Sequence, residues 1–250
     1  MKHARRMGLA LMMVIPALWS VHGADDAKGI PITEAEYRKL VKSTVDEITK
    51  TLAKTDAKSK QKARMAAIFL AAYAQHTTGG PGAAERATMR DAALKLAQTI
   101  AAGQIADAKK QASALLTLKA DPNANTAPLS IMKVAKLKVD DLMHQFGPPA
   151  RGGYGIEFRY KKLTGLGNKL PNETLDDEFL SSAYRVAMSF AILKNYKHED
   201  DPDKFRKYVD DAYQATVDMI PEVRAQNGPR TAPLLYKLTI VCSRCHNDFR

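Results

Sequence analysis

Hydrophobic side chains recur at intervals of three and four residues along most of the chain, and the strict alternation of a β-strand is nearly absent. The first apolar stripe consists of Tyr37, Val41, Val45, Ile48 and Leu52. Thr33 stands before this stripe with Glu36 three residues later, a spacing in which each side chain can bond the backbone of the other residue. The pattern therefore predicts a helix that begins at Thr33.

Seven further stretches share this periodicity, and turn-forming residues separate them. The eight predicted helices cover about 33–52, 60–76, 83–102, 104–118, 130–146, 174–196, 201–221 and 231–250. Asp121, Pro122 and Asn123 divide them into two sets of four. The pattern predicts an all-α protein built from two tandem four-helix bundles, at residues 30–120 and 129–250. A single larger helical array is the alternative.

One connection is long for a helical bundle. Residues 147–171 hold six glycines and three prolines, and we expect them to form a solvated loop. The same segment carries aromatic and basic side chains that could instead cover a bound group or contact a partner. These are Tyr154, Phe158, Arg159, Tyr160, Lys161 and Lys162.

Residues 1–23 have the pattern of an export signal. Lys2, Arg5 and Arg6 precede a short apolar run from Met7 to Trp19, and small residues then suggest cleavage between Gly23 and Ala24. The run has 13 residues and contains Pro16. A membrane-spanning helix needs roughly 20 apolar residues, so the pattern favours a cleaved signal over a membrane anchor. We expect the mature protein in the periplasm.

The chain is basic, with 38 Lys and Arg against 27 Asp and Glu and a formal net charge of +11. The positive charge is spread along the sequence rather than clustered, and an exported protein rarely meets nucleic acid. We therefore expect acidic protein surfaces, and not nucleic acid, as partners.

The chemistry-bearing pattern is Cys242-Ser243-Arg244-Cys245-His246, a C-x-x-C-H motif that contains both cysteines of the chain. In c-type haem attachment, the two thiols form thioethers with the haem vinyl groups and the adjacent histidine ligates the iron. Residues three apart lie within one helical turn, so both sulfurs can reach one edge of the macrocycle. The motif predicts one covalently attached haem c.

Three other interpretations of the motif compete with haem. A thioredoxin-like redox pair expects a strand–helix setting that the pattern lacks. A structural zinc site needs four ligands, and beyond the motif the sequence after residue 23 offers only His76, His144 and His198. A simple disulfide is the third interpretation.

The position and surroundings of the motif resemble the class II c-type cytochromes, the cytochrome c-prime group. Only four residues follow His246, and the ending Cys245-His246-Asn247-Asp248-Phe249-Arg250 looks like that family's C-H-x-x-aromatic-Arg terminus. The resemblance covers roughly residues 130–250 and is specific in the last nine. It implies a four-helix bundle with the haem motif on its last helix, and it leaves residues 30–120 as an additional bundle without a haem motif.

The resemblance also implies where the second axial position of the iron lies. The first helix of the family's bundle presents either a Met ligand or a non-ligating apolar residue, and counting back from the end of the predicted helix gives Val139. Met132, Met143 and His144 are nearby candidates for a sixth ligand, and Met65 or His76 could reach across from the first bundle. We expect Val139 at this position and five-coordinate, high-spin ferrous iron.

Arg250 is the proximal-side candidate. Its counterpart in the family lies near the proximal face of the haem, where it shields the histidine or stabilises an anion. A C-terminal arginine also interacts favourably with its own helix dipole, so a purely structural role is the alternative.

These features together predict an exported mono-haem c-type cytochrome that transfers electrons and is not an enzyme in its own right. The alternatives are a haem protein that binds or senses NO or CO, and an interaction module or subunit of a larger redox complex. The expected partner is a redox protein with an acidic docking surface, and a homodimer is compatible with the sequence.

Overall fold

The computed structural model describes residues 29–249. The predicted signal at residues 1–23, with Trp19, and the predicted proximal residue Arg250 lie outside the described residues. The described chain is mostly helical, which confirms the all-α class. A pair of two-residue parallel strands, β1 (Ile30–Pro31) and β2 (Thr77–Thr78), is the exception in that part of the chain.

Ten α-helices occur within residues 29–249. They are α1 Glu34–Leu52, α2 Ala57–His76, α3 Ala83–Ala101, α4 Ile105–Ala114, α5 Ile131–Ala135, α6 Val139–Met143, α7 Ile156–Thr164, α8 Asp177–Leu193, α9 Pro202–Arg224 and α10 Gly228–Phe249. Single turns of 3₁₀ helix extend α4 and α6, the latter over His144–Phe146.

Several predicted helix ends are confirmed by their hydrogen bonds. The Thr33 amide donates to Glu36 Oε2 at 2.8 Å, and the Glu36 amide donates to Thr33 Oγ1 at 3.2 Å, which is the reciprocal cap expected from the sequence. Asp201 caps α9 by accepting a hydrogen bond from the Lys204 amide at 2.9 Å. Gly103 follows α3 with a φ of +75°, a left-handed conformation that glycine adopts without steric cost.

The prediction of one helix over 130–146 is wrong. The chain leaves α5 at Lys136, whose φ is +50°, and the Leu137 amide donates to the Met132 carbonyl at 2.9 Å in a Schellman motif. Asp141 then accepts the Lys138 amide at 3.0 Å, which starts α6 in a new direction. Leu137 is buried between the two short helices, and its burial offsets the left-handed residue before it.

The prediction of a solvated loop over 147–171 is also wrong. Helix α7 forms inside it and buries Ile156, Tyr160 and Leu163, which share one face at helical spacing. The Tyr160 ring stacks on Phe179 of α8 with centroids 5.2 Å apart, and its hydroxyl lies 3.3 Å from Ser182 Oγ. The glycines around α7 obscured this apolar pattern.

Helices α1 to α4 pack against one another, as do α7 to α10, and α2 packs against α8 between these two groups. Buried hydrophobic residues from both groups form one continuous cluster. Charged residues also join them, since Arg185 Nη2 of α8 donates to Glu47 Oε2 of α1 at 2.6 Å. The N-terminal helices therefore pack against the C-terminal group mainly through α8, and not through α10, which carries the motif.

None of the helices between residues 29 and 249 combines the length and the apolar composition that crossing a bilayer requires.

Candidate functional site

The C-x-x-C-H motif lies in the last two turns of α10. Helix α10 is continuous to Phe249, so Cys242 and Cys245 are separated by about one turn and His246 follows on the same side. The helix is anchored at its other end, where Gly228 contacts Leu170 and its amide donates to Asn172 Oδ1 at 2.9 Å. The motif thus belongs to a regular, well-anchored helix, as the sequence predicted.

The three motif side chains line one large cavity. Its volume is about 810 Å³, within the range of roughly 300–1,000 Å³ typical of ligand pockets. Its walls are mainly apolar, and the described residues that form them all come from 137–249. The apolar members are Leu137, Val139, Met143, Phe146, Pro148, Ile156, Val186, Phe190, Leu193, Phe205, Val209, Ala212, Leu238, Val241 and Phe249. The cavity is large enough and apolar enough to hold a small molecule or a cofactor.

Both cysteines are free thiols at the cavity wall. Burial raises the pKa of Cys242 to about 12, with smaller contributions from Cys245 and Glu157. Burial also raises the pKa of Cys245, and the charge of Asp248 adds to this effect. Both thiols are therefore protonated at neutral pH.

One wall of the cavity comes from α6 and the turn after it. Val139, Met143 and His144 all line the cavity. Met132 does not, because it lies in α5 before the break at Lys136 and is buried in the core instead. Met132 is therefore not one of the residues that line the cavity.

Met65 and His76, the two candidates from the N-terminal helices, lie elsewhere in the structure. Met65 is fully buried in α2, and His76 ends that helix with its Nε2 3.1 Å from Gln75 Nε2. Neither residue lines the cavity. Burial, and to a lesser extent the charge of Lys194, lowers the pKa of His76 to about 4, so its ring is neutral at physiological pH.

An aromatic cluster surrounds the end of the motif helix. The His198 ring lies 4.5 Å from that of Phe249 and stacks on Phe205 at 5.1 Å between centroids. His198 Nδ1 accepts a hydrogen bond from the Asp200 amide at 3.3 Å, and Tyr196 packs edge-on against Phe205 at 5.6 Å. These aromatic side chains line the cavity, so His198 joins His144 and His246 as a third histidine at the site.

The polar outer side of the motif is also ordered. Tyr208 and Lys204 of α9 both donate to Asp248 Oδ2, at 2.5 and 3.0 Å. The Tyr208 hydroxyl, and then Lys204, holds the pKa of Asp248 below its usual range. These bonds fix the last turn of α10 against α9, and with it the orientation of His246.

Sequence reasoning missed two parts of the site. Helix α7 supplies Ile156 and Glu157 to the cavity, beside Tyr160, which was expected only in a loop that could cover a bound group. The segment after α8 supplies His198. The spacing of Ile156, Tyr160 and Leu163 was a usable signal for α7. Nothing in the sequence placed His198 near the motif, because that contact joins residues about fifty positions apart.

In the part of the chain that the structure describes, no three His, Cys, Asp or Glu side chains form a group that could hold a bare metal ion. No protein-family model, no curated protein and no solved structure matches the chain.

Proposed function

We propose that the chain is an exported mono-haem c-type cytochrome that transfers electrons. The observation that carries the proposal is that Cys242, Cys245 and His246 line the same wall of a large apolar cavity. A C-x-x-C-H motif on a helix without such a cavity would favour the disulfide or zinc interpretation, because neither of those needs room for a macrocycle.

The residues present fit a haem group. Cys242 and Cys245 would hold it through thioether bonds, and His246 would be the axial ligand of the iron. The group would supply one-electron transfer between Fe(II) and Fe(III), and the protein sets the potential through burial and ligation. Phe146, Phe190 and Phe205 would exclude water from its faces, and a ring contact at 6.2 Å holds Phe146 against Phe190.

The fold supports a finer version of the same proposal. We take α7 to α10 as a class II-like bundle that holds the haem, and α1 to α4 as a second bundle without one. The shared buried cluster supports the view that the two groups of helices act as one rigid unit rather than as two domains joined by a flexible linker. An interaction module or a subunit of a larger redox complex would use the same architecture.

The positive net charge of the chain favours a docking partner with a negatively charged surface. Removal of residues 1–23 would take away three positive charges and no acidic ones from a net charge of +11. The strongly basic mature protein would be attracted to a redox partner with an acidic surface in the periplasm.

Gas binding is the second candidate, and Val139 is the observation that favours it. Val139 lines the cavity at the start of α6 and cannot ligate iron. An apolar residue at the distal position would leave room for a small diatomic such as NO or CO.

An optical spectrum of the exported protein tests the proposal. We expect a haem c spectrum in the oxidised and reduced states, and we expect it to be lost when Cys242 and Cys245 are both replaced by alanine. A folded, exported protein with no haem absorption would refute the proposal. CO binding to the reduced protein then separates a closed electron carrier from a gas-binding protein.

A further inference from the structure

Side chains of the N-terminal helices hold the break between α5 and α6. The last carbonyls of α5 have no partners within their own helix, as at any helix end. Arg64 Nη2 of α2 donates to the Ala135 carbonyl at 2.7 Å, and Gln98 Nε2 of α3 donates to the Val134 carbonyl at 3.2 Å. Two residues of the N-terminal group therefore cap α5 immediately before the chain turns towards the cavity.

The same face of α2 also contacts the chain on both sides of α5. Gln75 forms two bonds with Leu129, accepting its amide at 2.8 Å and donating to its carbonyl at 3.0 Å. Gln61 Nε2 lies 3.4 Å from Asp141 Oδ1, and Lys58 Nζ donates to the Ala150 carbonyl at 3.3 Å. Positions 75, 64, 61 and 58 thus meet residues 129, 135, 141 and 150 in antiparallel order.

Aromatic contacts extend the support to the end of this segment. Lys62 of α2 contacts the Tyr154 ring with its Nζ 4.8 Å from the centroid, and Arg185 of α8 contacts it with its Cζ 3.7 Å away. Phe69 of α2 contacts the same ring at 6.4 Å between centroids. The whole stretch from Leu129 to Tyr154 is therefore fastened to the N-terminal helices, and it includes the cavity wall formed by residues 137–151.

We propose that the N-terminal helices act as a positioning module for this wall of the cavity, with Arg64 and Gln98 as the positioning residues. The inference rests on the proposed haem function and goes beyond it, because it gives the helices without a haem motif a role at the site. They contribute no lining residue themselves. By capping α5 they fix where α6 begins, and so where Val139 and Met143 stand relative to His246.

The test uses the exported holoprotein with CO as the probe. Arg64→Met removes the cap on Ala135, and Lys95→Met is the matched control, since it removes one positive charge from an exposed position of α3. Arg64→Lys keeps a donor at the same place. CO association with the reduced protein is measured by flash photolysis, together with the ferrous spectrum and the far-ultraviolet circular dichroism.

We expect Arg64→Met to bind CO about five-fold faster, because loss of one hydrogen bond of ordinary strength loosens the wall. Lys95→Met should match the wild type, and Arg64→Lys should fall between the two. If Arg64→Met does not fold, Gln98→Leu tests the neighbouring cap in the same way. CO kinetics that are unchanged in the folded variant, or changed equally in Lys95→Met, would overturn the inference. A wild-type protein without haem would instead refute the proposed function.

Discussion

Individual side chains of α6 decide which coordination the iron would have. Val139 and Met143 are separated by four residues, so they share a face of α6, and both line the cavity. A thioether from Met143 would give a low-spin, six-coordinate iron, whereas Val139 would leave the position open. Whether Met143 ligates the iron or the position stays open therefore separates a conventional electron carrier from a haem protein that binds gases.

We expect a high-spin, five-coordinate ferrous spectrum, because the family resemblance places Val139 at the distal position. Met143→Leu should leave that spectrum unchanged, since it replaces one apolar side chain of the wall by another of similar volume. Met132→Leu is the matched control, because Met132 is buried away from the cavity. A low-spin wild type that Met143→Leu converts to high spin would assign Met143 as the sixth ligand.

His76 links the stability of the protein to pH. Its pKa is lowered to about 4 in the folded protein, first by burial and then by Lys194, whereas an unfolded histidine has its ordinary pKa near 6.5. The unfolded state therefore binds the proton first as the pH falls. The free energy of unfolding should decrease by about 1.4 kcal/mol per pH unit between about pH 6.5 and about pH 4 from this group.

Denaturant unfolding at pH 7.5 and at pH 5 measures this dependence. His76→Gln should lose about 2 kcal/mol less than the wild type between the two conditions, because a glutamine binds no proton. The comparison cancels the contribution of other titrating groups that the two proteins share. Equal pH dependence in both proteins would show that His76 is not held neutral by its surroundings.

At the scale of elements, the start of α10 controls the placement of the motif. A Cβ on Gly228 would lie 1.9 Å from the Leu170 carbonyl oxygen, so α10 can begin there only because this residue has no side chain. The backbone of Leu170 belongs to the short turns that follow α7. Helix α10 is thereby located against the turns that follow α7, and α7 is the helix that lines part of the cavity.

Gly228→Ala should lower the free energy of unfolding by about 1–3 kcal/mol, because the backbone must move to accommodate the methyl group. Gly82→Ala is the matched control, since no neighbouring atom lies within 4 Å of a Cβ there. The control should change stability by less than about 1 kcal/mol. Thermal or denaturant unfolding of the two variants checks the prediction, and equal effects would contradict it.

The elements also show what the sequence could and could not predict. Caps at Thr33 and Asp201 depend on neighbouring residues, and both were predictable. The break at Lys136 was not, because the carbonyls just before it accept hydrogen bonds from Arg64 and Gln98, which are far away in the sequence. The motif residues were placed on one helix face from spacing alone, whereas the second half of their cavity depends on tertiary contacts.

For the whole molecule, cleavage of the predicted export signal would remove all tryptophan from the mature protein. The chain has one tryptophan, Trp19, and it falls within the segment that we expect to be removed. Exported protein should therefore show no indole fluorescence when excited selectively at wavelengths that tyrosine does not absorb. Emission should return in a version retained in the cytoplasm with residues 1–23 intact, which serves as the control. Clear indole emission from exported material would favour a retained membrane anchor.

Intact mass spectrometry of the exported protein measures whether Cys242 and Cys245 hold one haem covalently. The two thiols of the motif are the only cysteines of the chain. We predict a mass equal to that of the polypeptide after cleavage plus one haem, and a haem-free mass for the Cys242→Ala, Cys245→Ala protein. A wild-type mass equal to that of the polypeptide alone, or lower by the two hydrogens of a disulfide, would refute covalent attachment of haem.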